Sequence, residues 1–145
     1  MLRRDGASGG IAVAGVEGAR RTVARACCWV RRHPEEWAAL KRLCRYLEEE
    51  GETIMRGSLY ELARRYGIEV RLGGVFRRDH NLWSVLARYM VMERPMLLSA
   101  IGFRETPVDE VDLAGYWRDI VGDDEFVASS LEEARRIYDV QRGAR

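Results

Sequence analysis

Lysine is almost missing from this sequence: of its 24 basic residues only Lys41 is not arginine. Guanidinium groups suit forked contacts with phosphates and carboxylates better than an ammonium does. A GC-rich genome or a high growth temperature gives the same bias, so composition alone assigns no partner. Cysteine is scarce too. Cys27, Cys28 and Cys44 are odd in number, two of them are adjacent, and no paired Cys-x-x-Cys or Cys/His spacing occurs. That argues against a disulfide framework and a zinc site, and for reduced, mostly buried thiols in a cytoplasmic protein. His33 and His80 are the only histidines, too few ligands for a metal-dependent nuclease. No apolar run approaches the roughly 20 residues of a membrane helix, which leaves no membrane partner to expect. The glycines of MLRRDGASGGIAVAG are not followed by Gly-Lys-Ser/Thr, so they form no phosphate loop, and no other cofactor motif is present.

What is there is enough for one domain. At 145 residues and 47% hydrophobic content the chain can build a core without staples. A formal net charge of +1 hides an imbalance: residues 1–104 carry 19 Lys/Arg against 12 Asp/Glu, whereas residues 105–145 carry 5 against 11. The two parts call for separate accounts.

Residues 1–15, with four glycines and no helical periodicity, are expected to be a flexible N-terminal arm. Arg3, Arg4, Arg20, Arg21 and Arg25 among alanines imitate a transit peptide; an upstream start codon or a simple basic arm is the preferred explanation. A helix is predicted over 17–32, and Pro34 restarts the chain. From Glu35 to Glu50, Trp37, Leu40, Leu43, Cys44 and Leu47 make an apolar stripe at helical spacing, with the Glu48-Glu49-Glu50 run at the unfavourable end of the helix dipole. Ser58-Leu-Tyr-Glu61 is a capping box that predicts a helix start, with Gly67 closing it. Ile68, Val70 and Leu72 alternate with charges and predict a brief extended piece. Asp79 or Asn81 caps a longer helix with Leu82, Val85, Leu86 and Tyr89 on its core side and Asn81, Ser84 and Arg88 on another flank. After Pro95, MLLSAIGF reads as a covered strand. Leu113, Tyr116, Trp117, Ile120 and Val121 predict a helix ended by Gly122, and Ser130-Leu-Glu-Glu133 opens a last one with Leu131, Ala134 and Tyr138 inward. The expected organisation is an arm (1–15), a winged helix-turn-helix-like domain (16–122) and an acidic helix docked on it (123–145). The fold class is mostly α with a small β wing.

Leu59-Tyr60-Glu61-Leu62-Ala63 with Gly67, the helix Leu82 to Glu93, and Pro95-Met-Leu-Leu-Ser-Ala-Ile101 followed by Gly115-Tyr116 carry a resemblance over about residues 55–120. The stretch resembles a widespread bacterial and phage winged-helix module with a Tyr-x-Glu-Leu-Ala helix, a Pro-Leu-Leu-Ser-Ala-Leu-Val-Val strand and a later Pro-x-x-Gly-Phe. That module is similar to the DNA-binding part of alkyltransferase-like proteins. Ile101-Gly102-Phe103 departs from Leu-Val-Val, and Pro107 is far from Gly115. The resemblance implies DNA binding; repair chemistry would need a Pro-Cys-His-Arg segment, and no cysteine here follows a proline.

The functional expectation is therefore a non-enzymatic, regulatory or accessory DNA-binding protein. Arg64, Arg65, Arg71, Arg77 and Arg78 would hold phosphates, while His80, Asn81, Ser84 and Arg88 would approach bases. The competing expectation is an interaction or structural module of a mobile element or stress system, meeting a protein partner through the acidic C-terminal region. His80 as a general base and Trp83, Tyr89, Tyr116 and Trp117 as base-stacking groups are weaker readings than a surface residue and core stripes. One structural feature discriminates between the two classes. Arginines paired with the acidic residues from Asp109 to Asp124 favour the structural reading, whereas a continuous face containing Arg77, Arg78 and Arg88 favours nucleic acid.

Overall fold

A computed structural model describes the backbone of residues 2–68, 80–123 and 125–143, and side chains within these from residue 15 onward and, after the break, from Leu82. Six α-helices lie among the described residues: α1 Leu2–Arg32, α2 Pro34–Glu49, α3 Arg56–Arg65, α4 His80–Glu93, α5 Leu113–Ile120 and α6 Leu131–Gly143. Two 3-10 turns, Pro95–Ser99 and Pro107–Glu110, separate α4 from α5.

Helix α4 is the axis of the fold. Every residue from Val85 to Met92 is buried, so this helix has no solvent face along its middle. Such all-round burial requires neighbours on every side. α1 packs on α4, α5 and the Pro107–Glu110 turn, while α6 packs on α4 and the Pro95–Ser99 turn. α2 touches α1, α3 and the Pro95–Ser99 turn. The stripe Trp37, Leu40, Leu43, Cys44 and Leu47 faces inward as its spacing requires, and each fully buried leucine contributes about 1.5–3 kcal/mol of transfer free energy.

The aromatic residues knit these helices together. Tyr89 lies 4.8 Å from Trp117 and 5.6 Å from Phe126 between ring centroids, and Trp117 lies 5.8 Å from Trp37. Tyr89 and Trp117 are thus core residues, and Trp83 and Tyr116 are half-buried against the same core. Local signals hold the helix ends. The Asp112 carboxylate accepts from the Gly115 amide at 3.1 Å, and a Cβ at Gly115 would run into that carboxylate. The Ser130 hydroxyl accepts from the Glu133 amide at 3.1 Å and opens α6.

The described residues contain no β-strand, so the small β wing and the winged helix-turn-helix class are corrected to an all-helical arrangement. The segment expected as a covered strand, MLLSAIGF, begins instead as the Pro95–Ser99 turn. Proline at the first position presets a helical φ, and Leu97, Ala100 and Ile101 donate their amides to the Arg94 or Leu97 carbonyls at 2.9–3.1 Å. Those donors are satisfied within the turn and have none left for a sheet partner. The other expected extended piece, from Ile68 to Leu72, lies outside the described residues after Ile68.

Two helix starts also differ from expectation. α1 takes in the glycine-rich stretch read as an arm. α3 begins two residues before Ser58, whose hydroxyl accepts from the Met55 amide at 2.9 Å and donates to the Met55 carbonyl at 2.8 Å. Ser58 therefore secures the helix from its first turn, reaching back to the residue before it. Gly67, at φ +71°, closes α3 as its position suggests.

Candidate binding groove

Arg88 decides the fate of the expected DNA-reading flank. It is 1% exposed. Its Nε donates to Asp109 Oδ1 at 2.8 Å and its Nη2 to Asp109 Oδ2 at 3.1 Å, a fork on one carboxylate. Nη1 donates to the Ser84 carbonyl at 3.1 Å and to the Ser84 hydroxyl, and Nη2 reaches the Arg104 carbonyl at 3.0 Å. All five guanidinium N–H groups are thereby satisfied, and the plane lies 5.1 Å from the Phe103 ring centroid. The group fastens the Pro107–Glu110 turn to α4 and has nothing left for a base edge. Ser84, the neighbouring expected contact, is consumed by the same arginine.

Of the remaining expected contacts, Arg64 and Arg65 have described side chains. Arg64 and Arg65 are exposed on α3, and Arg64 pairs with Glu61 at 3.7 Å. Arg71, Arg77 and Arg78, and the side chains of His80 and Asn81, lie outside the described residues. DNA as a partner is corrected on these grounds: no wing exists among the described residues to support it, and the central base-reading residue is buried in an ion pair. Within the acidic C-terminal region Asp109 is drawn onto Arg88, the kind of pairing that favours a structural role over nucleic acid.

Burial raises the pKa of the Asp109 carboxyl, but the hydrogen bonds from Arg88 and the Thr106 amide, with the charges of Arg88 and Arg135, outweigh this and hold it below its ordinary value. The thiols behave oppositely. Burial pushes Cys44 up to about 12, and burial outweighs a hydrogen bond to Tyr89 to push Cys27 up to about 11. Tyr89 donates its one proton to the Leu113 carbonyl at 2.7 Å, so Cys27 Sγ, 3.2 Å away, is the donor to the Tyr89 oxygen. Neither buried thiol is poised as a nucleophile. Among the described residues no group of three or more His, Cys, Asp or Glu could hold a metal ion, and no helix is long and apolar enough to cross a membrane.

A different part of α4 opens to solvent. Between α2, the end of α4 and the Pro95–Ser99 turn lies a groove of about 280 Å³, floored by Ala38, Met90 and Leu97. Lys41, Arg42, Arg45 and Arg94 form its rim, with Glu93 the one carboxylate in the lining. Lys41 Nζ lies 3.1 Å from Glu93 Oε2 and 5.4 Å from the Trp37 ring centroid. Arg94 Nη2 meets Glu48 Oε1 at 3.0 Å, while its Nε is buried and has no hydrogen-bond partner. Arg45 pairs with Glu49 at 3.3 Å on the exposed side, and Arg42 has no carboxylate partner among the described residues. Cations thus outnumber the carboxylates that reach them.

The chain matches no family model, no curated protein and no solved structure. The resemblance to the bacterial and phage winged-helix module, and through it to alkyltransferase-like proteins, is therefore corrected: the wing it requires is not found among the described residues and no relative supports it. Sequence reasoning missed the groove because it followed the apolar stripe of α2 and left Lys41, Arg42 and Arg45 without a role. The available signal was their position at i, i+1 and i+4 beside the Leu40–Leu43–Cys44 stripe, with Arg94 standing just before a proline that turns the chain.

Proposed function

We propose that this protein is a non-enzymatic binding module whose groove between α2 and α4 takes an acidic peptide segment of a partner protein. The observation that carries the reading is the rim: four cations over an apolar floor, with Arg42 unpaired by any described carboxylate and the Arg94 Nε unserved. Such a surface suits a segment with an apolar side chain set among carboxylates. The apolar side chain seats on Met90 and Leu97, and the carboxylates meet the guanidinium forks. The buried polar groups elsewhere on α4 are already committed, Arg88 to Asp109 and Tyr89 to Leu113, which supports binding over chemistry. Three cysteines free of disulfides support a reducing, cytoplasmic setting.

The test is calorimetric titration of an acetylated Leu-Glu-Glu-Leu-Glu-Glu amide and of its glutamine counterpart. The acidic peptide is expected to bind, more weakly as salt rises, and the glutamine peptide not to bind. Arg42→Glu with Arg45→Glu should weaken binding by about tenfold or more, as expected of opposed charges at an interface. Equal binding of the two peptides, or competition by inorganic polyphosphate at equal concentration of charge, rejects the carboxylate-peptide reading.

A further inference from the structure

Arg94 and Glu48 present an uneven match. An arginine fork and a carboxylate pair best through two parallel N–H···O bonds, yet here only Nη2 is engaged, at 3.0 Å, and Nε is buried with no acceptor. An unserved buried donor is costly. Glu48 is badly placed as well. It stands in the last turn of α2, where no basic residue offsets the helix dipole and a carboxylate is disfavoured. It is nevertheless held close, with its side chain only 12% exposed. A poorly matched carboxylate therefore sits on one of the two half-buried cations of the groove, the other being Lys41, paired with Glu93.

We infer that Glu48, which lies outside the lining of the groove, competes for the lining residue Arg94 and is displaced from it by a carboxylate of the bound peptide. The inference rests on the acidic-peptide reading and specifies how that site is regulated. In the free protein Glu48 keeps Arg94 partly neutralised and turned inward. When a ligand carboxylate arrives, the guanidinium turns towards the groove and engages through Nε and Nη2 together. Glu48 is released to solvent at the end of α2. The exchange makes affinity depend on ligands able to offer a bidentate carboxylate, and it discriminates against a single hydroxyl or amide acceptor.

The test uses the full chain and the same Leu-Glu-Glu-Leu-Glu-Glu peptide, with circular dichroism melts of each variant. Glu48→Gln is expected to tighten binding by about two- to fivefold, the range of one partly exposed ion pair. Glu52→Gln, which removes the same charge from an exposed position beyond the end of α2, is expected to change affinity less. Arg94→Lys keeps the charge near Glu48 but cannot fork, and should weaken binding by about tenfold. If the wild-type protein binds and Glu48→Gln does not tighten it, or Glu52→Gln tightens it equally, the displacement is rejected and the groove reading stands. If Arg94→Lys binds as the wild type does, the fork is rejected. If neither the wild type nor Glu48→Gln binds the peptide, the groove reading itself falls.

Discussion

Arg88 and Arg94 belong to one stretch of chain, the first inside α4 and the second just past its end, and each meets a carboxylate within 3.0 Å. Their circumstances are opposite. Arg88 is enclosed, forks onto Asp109, and has an acceptor for every N–H. Arg94 is 37% exposed in its side chain, touches Glu48 through one nitrogen, and leaves another buried and unserved. Saturation marks a group whose role is finished within the fold; incompleteness at a solvent-facing edge marks one with capacity left. The same residue type is a rivet at one point of the axis and a candidate contact at the other.

The comparison predicts its largest effect at the rivet. Removing Arg88 leaves the partly enclosed Asp109 without its forked partner and the Ser84 and Arg104 carbonyls without their donor. Breaking one side of a buried pair costs about 3–5 kcal/mol, on the order of 10 °C in melting temperature for a chain of this size. Arg88→Ala should show that loss in urea denaturation; a loss under about 1 kcal/mol would break the contrast with Arg94. The same pair predicts an acid limb. Asp109 has a folded pKa below its unfolded value, so its contribution is fully present above the unfolded carboxylate value of about 3.9 and is lost as pH falls through the lower folded value. Asp109→Asn should flatten the decline of stability with acid in that window. A slope identical to the wild type in denaturation below that pH would show the pair to be uncharged or solvated.

A smaller effect is expected where the buried contact is neutral. Tyr89→Phe keeps the ring against Trp117 and Phe126 but deprives the Leu113 carbonyl of its donor and the Cys27 thiol of its acceptor. One buried hydrogen bond lost with its partner left in place costs about 1–3 kcal/mol. The chemical-denaturation midpoint should move by that amount, and Cys27 should stay unreactive towards a thiol reagent in the folded state. Rapid labelling of Cys27 in the wild type would contradict its enclosure.

Particular residues show why sequence could reach some of this and not the rest. The stripe of α2, the Ser130 start of α6 and the Gly67 and Gly122 closures are local, set by spacing and by side chains within one turn, and they stand in the structure where they were expected. Arg88 was misplaced by a projection that tells which flank of a helix a residue occupies but not whether another segment covers that flank. The covering segment, Arg104 to Asp109, comes from well down the chain. A signal was present in Ala87, Met90, Val91 and Met92, which make α4 apolar nearly all round; a lone arginine in such a helix needs an internal partner. MLLSAIGF failed differently: its apolar composition suits a strand, but Pro95 and local carbonyls satisfied the backbone first. The groove needs α2 and the end of α4 side by side, and no local pattern encodes that proximity.

The smallest predicted change in stability tests the open end of the comparison. If Arg94 is a contact held for a ligand, the fold should depend on it little. Its pairing with Glu48 is a partly exposed ion pair with one bond at 3.0 Å, and such pairs contribute about 0–1 kcal/mol. Against that small gain stand the unserved Nε and the placement of Glu48 at the negative end of α2, both of which cost free energy. The opposing effects nearly cancel. Arg94→Gln should therefore shift the urea midpoint by an amount worth less than about 1 kcal/mol in either direction, even though Arg88→Ala, on the same stretch of chain, destabilises severely. A loss at Arg94 as large as that at Arg88 would make both arginines structural, and the distinction between a finished and an unfinished guanidinium would no longer point to the groove.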